Sequence, residues 1–392
     1  MNNRFFGYIE GYYGRLLSWN ERSLILDEMR RLGLNSYLYA PKEDPFHRQE
    51  WRKPYPAAWQ AQFKAFVNQA QKNGIDVVAG IAPGLSFDYR SAADYTSLQK
   101  KCATFIKAGV RTICLLMDDI PAILPPSCRN SFSSLGEAHG KLLTRLKKDL
   151  TIDAGGTSVS LWFCPTVYAD ELIKQSGEAR RYLPDLANAM PPSTVVLWTG
   201  TRVIAKNISA GSLRQVNKLF KGNVCIWDNL YANDYCPSKL FIGAYKNRNH
   251  DVVRSTRGAL INPTGLVNTD MFLLSLLAAF RDGADPLRAW RARISKLPFA
   301  NELALAAPFM DLPFSVLSKS SLSAPHIKAC KAALKKLIWK WKSPLQREWY
   351  PFLYTLDCDL TLCRQTSRPD ARQWIRKKYP AVLARVLQGK LS

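Results

Sequence analysis

The sequence predicts an α/β fold, a (β/α)8 TIM barrel followed by a smaller all-α domain. Three observations carry the prediction. Short apolar, β-rich runs recur eight times before residue 290, each separated from the next by a longer stretch with helical spacing. These runs are apolar on both sides, as strands of a parallel sheet buried on both faces must be. A chain of 392 residues also exceeds what one core comfortably supports, so a large domain with a smaller one after it is expected. Eight strand–helix repeats favour a closed barrel over an open sheet, and no GxGxxG follows the first strand to suggest a dinucleotide fold.

The elements run in order. "RFFGYIEG" is the first strand, then helix "NERSLILDEMRRLG", with Asn20 as its expected cap and Gly33 as its stop. "NSYLYAPK" precedes helix "PAAWQAQFKAFVNQAQKNG", and "DVVAGIAPG" precedes "DYTSLQKKCATFIKAG". "TICLLMDD" leads to helix "GEAHGKLLTRLKKDL", and "SVSLWFCPT" to "ADELIKQSGEARRYL". "STVVLWTG", helix "AGSLRQVNKLFKG" and strand "NVCIWDN" follow. "RGALINPT" is the eighth strand, before helix "NTDMFLLSLLAAFRDG". The barrel is placed at residues 1–290 and a basic helical domain at 291–392, where "PLRAWRARISKL", "HIKACKAALKKLIWKWK" and "DARQWIRKKYPAVLARVLQGK" are amphipathic.

Composition narrows the function. Nine cysteines without a CxxC pair, and only four histidines, argue against a metal or haem site. They read instead as reduced thiols of a cytoplasmic protein; no metal or cofactor is expected. The N-terminus shows no charged-then-apolar leader, and the longest apolar run, "MFLLSLLAAF", is too short to span a membrane. The net charge of +24 favours an anionic partner: nucleic acid, an acidic protein, an anionic polysaccharide or a membrane surface.

A barrel carries its active site at the C-terminal strand ends. There the sequence places carboxylates, amides and aromatics: Glu10 to Gly14, Lys42 to Asp44, the adjacent pair Asp118 and Asp119, Thr166 and Tyr168, Trp198 to Gly200, Trp227 to Asn229, Asp234 and Asn262. Such a rim suits a sugar, whose hydroxyls meet polar groups and whose ring stacks on aromatic faces. On its own, "LLMDDI" could be a turn that ends a strand.

The segments "GYIEGYYGR", "LYAPKEDPFHRQEWRKPY", "GIAPGLSFDY", "LLMDDI", "FCPTVY", "VLWTG", "WDNLYANDY" and "INPTG" resemble, in order, the motifs of glycoside hydrolase family 84. That family holds the O-GlcNAcases and bacterial β-N-acetylglucosaminidases. The resemblance covers residues 1–270 and says little about the basic C-terminal region. It implies a retaining exo-β-N-acetylglucosaminidase in which the substrate's own acetamido group is the nucleophile and an oxazoline the intermediate. Asp118 would then hold the acetamido nitrogen and Asp119 would act as general acid and base. Their adjacency should raise one pKa and keep the acid protonated.

Tyr168 would bind the acetamido oxygen, while Trp227 and Cys164 would wall the acetyl pocket. Asn229 would sit beside the carboxylates. Asp234, with Asn262 nearby, would bind O4 and O6, and Lys42 and the carbonyl of Gly7 would reach O3. Plainer readings stand beside these. Lys42 could pair with Asp44, Trp227 could be core, and Cys164 could be a small buried hydrophobe. Val167 stands where many relatives carry an acidic residue. An endo-acting hyaluronidase-type enzyme and an idle barrel binding nucleic acid or an acidic partner are the alternatives.

Overall fold

The computed structural model describes residues 4–365, apart from 154, 157 and 319. Eight parallel strands close into a barrel in sequence order. They are β1 (Phe5–Glu10), β2 (Ser36–Tyr39), β3 (Asp76–Ile81), β4 (Thr112–Leu116), β5 (Ser160–Cys164), β6 (Val195–Trp198), β7 (Val224–Asp228) and β8 (Gly258–Ile261). Each lies within the segment expected of it. β8 returns to β1 with Tyr8 opposite Ile261, which closes the sheet without an exposed edge.

Side chains alternate across a strand. Ile9, Leu38 with Ala40, Cys114 with Leu116, Trp162 with Cys164, Leu197, Cys225 with Trp227, and Leu260 form one buried cluster inside the barrel. The intervening residues point outward, and two of them are charged. Glu10 receives two hydrogen bonds from the Arg22 guanidinium, at 2.9 and 2.7 Å, and one from the Tyr37 hydroxyl at 2.7 Å. Asp228 receives a matching fork from Arg248, at 2.7 and 2.6 Å. Both acids are buried. Their strand-end positions suggested rim groups, but their parity turns them away from the barrel interior and makes them structural.

The barrel's helices are α1 (Trp19–Arg31), α2 (Ala57–Lys72), α3 (Ala92–Lys107), α4 (Leu135–Asp153), α5 (Asp170–Ile173), α6 (Gly177–Ala189), α7 (Ala210–Leu219) and α8 (Asp251–Ser255). α1 is capped by Ser18 in a capping box with Glu21; Asn20, the expected cap, already lies inside the helix. The single helix expected over "ADELIKQSGEARRYL" is broken into α5 and α6. Ser176 accepts from the amide of Ala179 and starts a new helix where one continuous helix was expected.

The chain divides into two compact units, Met1–Asn229 with Asn247–Asn262 and Leu230–Lys246 with Pro263–Ser392. The second contains α9 (Val267–Arg281), α10 (Pro286–Ile294), α11 (Ala300–Ala306), α12 (Ala324–Trp339) and α13 (Pro344–Gln365). Its core runs from Leu240 and Ile242 through Leu303 and Leu334 to Trp341, Trp349 and Leu360. α9 has no side-chain cap of its own. Glu348 of α13 supplies one, accepting from the amides of Asn268 and Thr269 at 2.9 and 2.8 Å and from both side chains at 2.7 Å. The helix expected over "DARQWIRKKYPAVLARVLQGK" lies outside the described residues. Among the described residues no helix is long and apolar enough to cross a membrane.

Candidate active site

The inward parity of the strands continues past their ends and selects the polar groups. Two residues beyond Ile9 stands Gly11, with Tyr13 two further on. Lys42 follows Ala40, Asp118 follows Leu116, and Thr166 and then Tyr168 follow Cys164. Asn229 follows Trp227, and Asn262 follows Leu260. Each of these side chains therefore extends an interior column onto the C-terminal rim, whereas Asp119 is one position out of that register.

Lys42 and Asp118 form a buried ion pair, Nζ to Oδ2 at 2.5 Å, with side chains 3% and 9% exposed. Asp44, the other partner considered for Lys42, is instead held by the Tyr39 hydroxyl and the Phe46 amide, each at 2.9 Å. The second carboxylate oxygen of Asp118, Oδ1, is buried and has no hydrogen-bond donor among the described residues. Buried carboxylate oxygens are ordinarily satisfied, so this one calls for a donor that the described residues do not supply.

Asp119 is held differently. The Tyr13 hydroxyl donates to Oδ2 at 2.7 Å and the Tyr168 hydroxyl to Oδ1 at 3.0 Å, while Arg48 donates to the Tyr13 oxygen. Its backbone sits in the left-handed region, at φ 57°. That conformation costs a non-glycine residue about 1–3 kcal/mol and persists only where its surroundings enforce it.

Burial raises the Asp119 pKa, but the Lys42 charge and the Tyr13 and Tyr168 hydrogen bonds outweigh burial, and the carboxyl is held below its usual range. This corrects the expectation of an acid kept protonated by its neighbour's charge. Lys42 lies close enough to act on both carboxylates, so repulsion between them does not dominate. Lys42 itself is pushed up, because Asp118 and Asp119 overcome the desolvation that would lower it. Burial, reinforced by Asp119, lifts the Tyr13 hydroxyl to about 12 against the opposing Lys42 charge. Tyr168 is raised too, by burial and then by both carboxylates. Both phenols are thus donors throughout the working pH range.

One wall of the pocket is Trp227, whose indole donates to Asn229 Oδ1 at 2.8 Å. The same oxygen accepts from Asn262 Nδ2 at 3.0 Å, and Asn229 Nδ2 reaches the Val203 carbonyl at 2.8 Å. Asn229 is therefore a fixed hub. Asn262 Oδ1 is left buried and unpartnered, a second acceptor available to a ligand. Cys164 is buried in the interior layer beneath Asp118, and burial, then the Asp118 charge, raises its thiol well above the ordinary value. A buried thiol held neutral in this way is no nucleophile.

Gly7 lies in mid-strand, opposite Ser36, where a Cβ would come 1.8 Å from the Ser36 carbonyl oxygen. Its glycine requirement comes from strand packing. The glycine at the pocket is Gly11, where a Cβ would stand 2.6 Å from the Trp227 ring. Asp234 belongs to the second unit, where its carboxylate accepts from the Tyr235 amide at 2.9 Å. Gly11 and Tyr13 stood on the rim in the sequence reading without a role of their own. The signal was present in "EGYYG", since both continue the odd-numbered column of β1.

A parallel barrel that presents adjacent carboxylates, phenol donors and an indole wall at its strand ends is the framework of a glycoside hydrolase. Residues 6–309 match the family model described as beta-N-acetylglucosaminidase, and the chain belongs to that family. It is 32% identical over 257 residues to the protein O-GlcNAcases of Rattus norvegicus and Mus musculus. That match covers 66% of this chain and 28% of each relative, so the chain spans less than a third of their length. A solved O-GlcNAc hydrolase variant from Thermobaculum terrenum superposes with a TM-score of 0.77 at 24% identity, over 100% of this chain and 91% of that one, and shares its fold.

Proposed function

We propose that the chain is a retaining exo-β-N-acetylglucosaminidase that removes terminal β-linked GlcNAc, including O-GlcNAc on Ser or Thr of proteins, by substrate-assisted catalysis. The observation that carries the reading is Asp118, one oxygen of which is neutralised by Lys42 while the other is buried and lacks a donor. An acetamido N–H supplies that donor. As Asp118 draws on this N–H, the acetamido oxygen attacks C1, the C1–O bond breaks, and Asp119 gives its proton to the leaving oxygen. The resulting oxazoline is opened by water attacking C1, with Asp119 taking the proton. Two inversions return the β configuration.

Asp119 is charged before substrate arrives, so it must gain its proton on binding. Sugar in the pocket excludes water from Asp119, and a sugar O3 that engages Lys42 weakens the field holding the carboxyl low; both changes raise its pKa. Tyr168 steadies the attacking oxygen, and Trp227, Gly11 and Cys164 bound a space of acetyl size. Asn262, whose Oδ1 is buried without a partner among the described residues, would take a sugar hydroxyl.

Hydrolysis of aryl β-N-acetylglucosaminides with leaving groups of graded pKa tests the reading. Asp119→Ala should fail chiefly on poor leaving groups, which need a proton, whereas Asp118→Ala should fail on all of them. A wild type that is inert on the whole series, while cleaving aryl glucosides, would refute it.

We further propose a catalytic region over residues 1–290 and a basic region over 291–392 that meets an anionic partner. From Leu312 to Arg347 the sequence holds Lys319, Lys328, Lys331, Lys335, Lys336, Lys340, Lys342 and Arg347 and no acidic residue. Binding of an anionic polymer should weaken steeply with salt; salt-independent binding would argue against it. Cys114, Cys128, Cys164, Cys225, Cys236, Cys330 and Cys358 are free thiols, which supports a cytoplasmic setting.

A further inference from the structure

We propose that His139, buried behind the carboxylate pair, is a positioning residue. Through Tyr182 and Thr166 it fixes the backbone that carries Asp118, Asp119 and Tyr168. The inference rests on the glycosidase reading above and adds a requirement to it. His139 projects from α4 and is fully buried. Its Nδ1 is 2.8 Å from the Tyr182 hydroxyl on α6, and its Nε2 is 2.7 Å from the Tyr89 hydroxyl. The Tyr182 oxygen also accepts from the Thr166 amide at 3.1 Å, and the Thr166 hydroxyl donates to the Met117 carbonyl at 2.7 Å. Met117 immediately precedes Asp118, and its own amide donates to the Cys164 carbonyl at 2.9 Å.

Hydrogen-bond polarity makes this a directed chain. With the Tyr182 oxygen accepting from Thr166, its own hydrogen is assigned to His139 Nδ1, which is then the acceptor of the ring. That assignment puts the ring proton on Nε2, donated to the Tyr89 oxygen. Burial lowers the imidazole pKa to about 3, so this single-proton form holds across the pH range in which an enzyme works. The chain ends on Thr166, which stands between β4 and the Tyr168 segment and bonds to the residue before the two carboxylates.

Asp119 needs such support. Its left-handed backbone is strained, and its side chain accepts from a phenol on each of two neighbouring segments. The chain through His139 ties one of those segments, 166–168, to the carboxylate-bearing turn. None of its members touches the reacting atoms, so the role is positional. Misplacing a catalytic group by about 1 Å can cost on the order of 100-fold in rate.

Kinetics and NMR on the full chain test the proposal. His139→Phe and Thr166→Val should each lower kcat by about 10- to 100-fold, steepen the dependence on leaving-group pKa, and leave KM little changed. His139→Gln, which keeps an acceptor and a donor, should recover most of kcat. Thr166→Val breaks only the terminal link, so it carries the test if His139→Phe does not fold. In wild type, the His139 nitrogen resonances should show an acceptor Nδ1 and a protonated Nε2, unchanged between pH 5 and 8. Lowered thermal stability with an unaltered leaving-group profile in Thr166→Val, or a ring that titrates or carries its proton on Nδ1, would overturn the proposal. A wild type inert on the aryl series would sink the glycosidase reading instead, and the NMR result would still decide the hydrogen-bond chain.

Discussion

Replacing Lys42 with Met removes one charge from the most tightly drawn pair in the site. Nζ and Oδ2 are 2.5 Å apart, and both side chains are more than nine-tenths buried. Deleting one partner of such a pair leaves the other charge uncompensated and costs about 3–5 kcal/mol. Met nearly conserves the stem, so little of the loss comes from packing. At about 2 °C or more per kcal/mol for a domain of this size, the melting temperature at pH 7 should fall by at least about 6 °C.

The pH dependence gives a sharper test. Asp119 has a depressed folded-state pKa, so its contribution to stability is present above the unfolded value and lost as pH falls through the folded one. Lys42 is the leading cause of that depression. The difference between wild type and Lys42→Met should therefore hold from pH 7 down to about pH 4 and shrink below it, as pH falls past the ordinary carboxylate value of 3.8. Thermal melts of both proteins from pH 7 to about pH 2 measure it directly. A difference below about 1 kcal/mol at pH 7, or one that stays constant across the series, would refute the buried-pair account. The alkaline limb of kcat/KM should also move to higher pH in the variant, because Asp119, the general acid, loses the charge that keeps its pKa low.

Other perturbations are simpler. Gly11→Ala brings a methyl to within 2.6 Å of the Trp227 ring; the indole must shift, and KM for an aryl N-acetylglucosaminide should rise by at least tenfold with a native circular dichroism spectrum. An unchanged KM would remove Gly11 from the pocket. His47 and His139 are fully buried and held to about 3 by burial, against 6.5 in the free side chain. Stability should thus fall as pH drops below 6.5, by about 2 kcal/mol per histidine at pH 5. His47→Gln should flatten that fall in urea titrations, and an identical slope would count against it. Glu348→Ala strips all four acceptor bonds from the start of α9 and should cost about 1–3 kcal/mol, seen as a lower urea midpoint. A midpoint equal to wild type would show that water replaces the cap.

The eight strands were legible because a barrel strand must be apolar on both faces, a requirement that acts within four to six residues. The carboxylate pair was legible for a related reason. An apolar run that ends in Asp118 and Asp119 places charge at a strand end, and barrel strand ends face the site. The break between α5 and α6 was missed because Ser176 can cap as readily as it can sit inside a helix, and the sequence pattern alone did not choose between them.

What the sequence determined by itself was therefore periodic: strands, most helices and the inward columns from which the site grows. Gly7 and Gly11 stand close together in the chain, and only the closed barrel shows that one meets a neighbouring strand and the other an indole. The tertiary structure alone decided the protonation of the site. Lys42 and Asp118 are 76 positions apart in the chain, as read from their numbers, yet 2.5 Å apart in space. Tyr13 and Tyr168 converge on Asp119 from either side of it in the chain, 106 positions before and 49 after. A pKa is a sum over charges, donors and burial in three dimensions, which no pattern along the chain encodes.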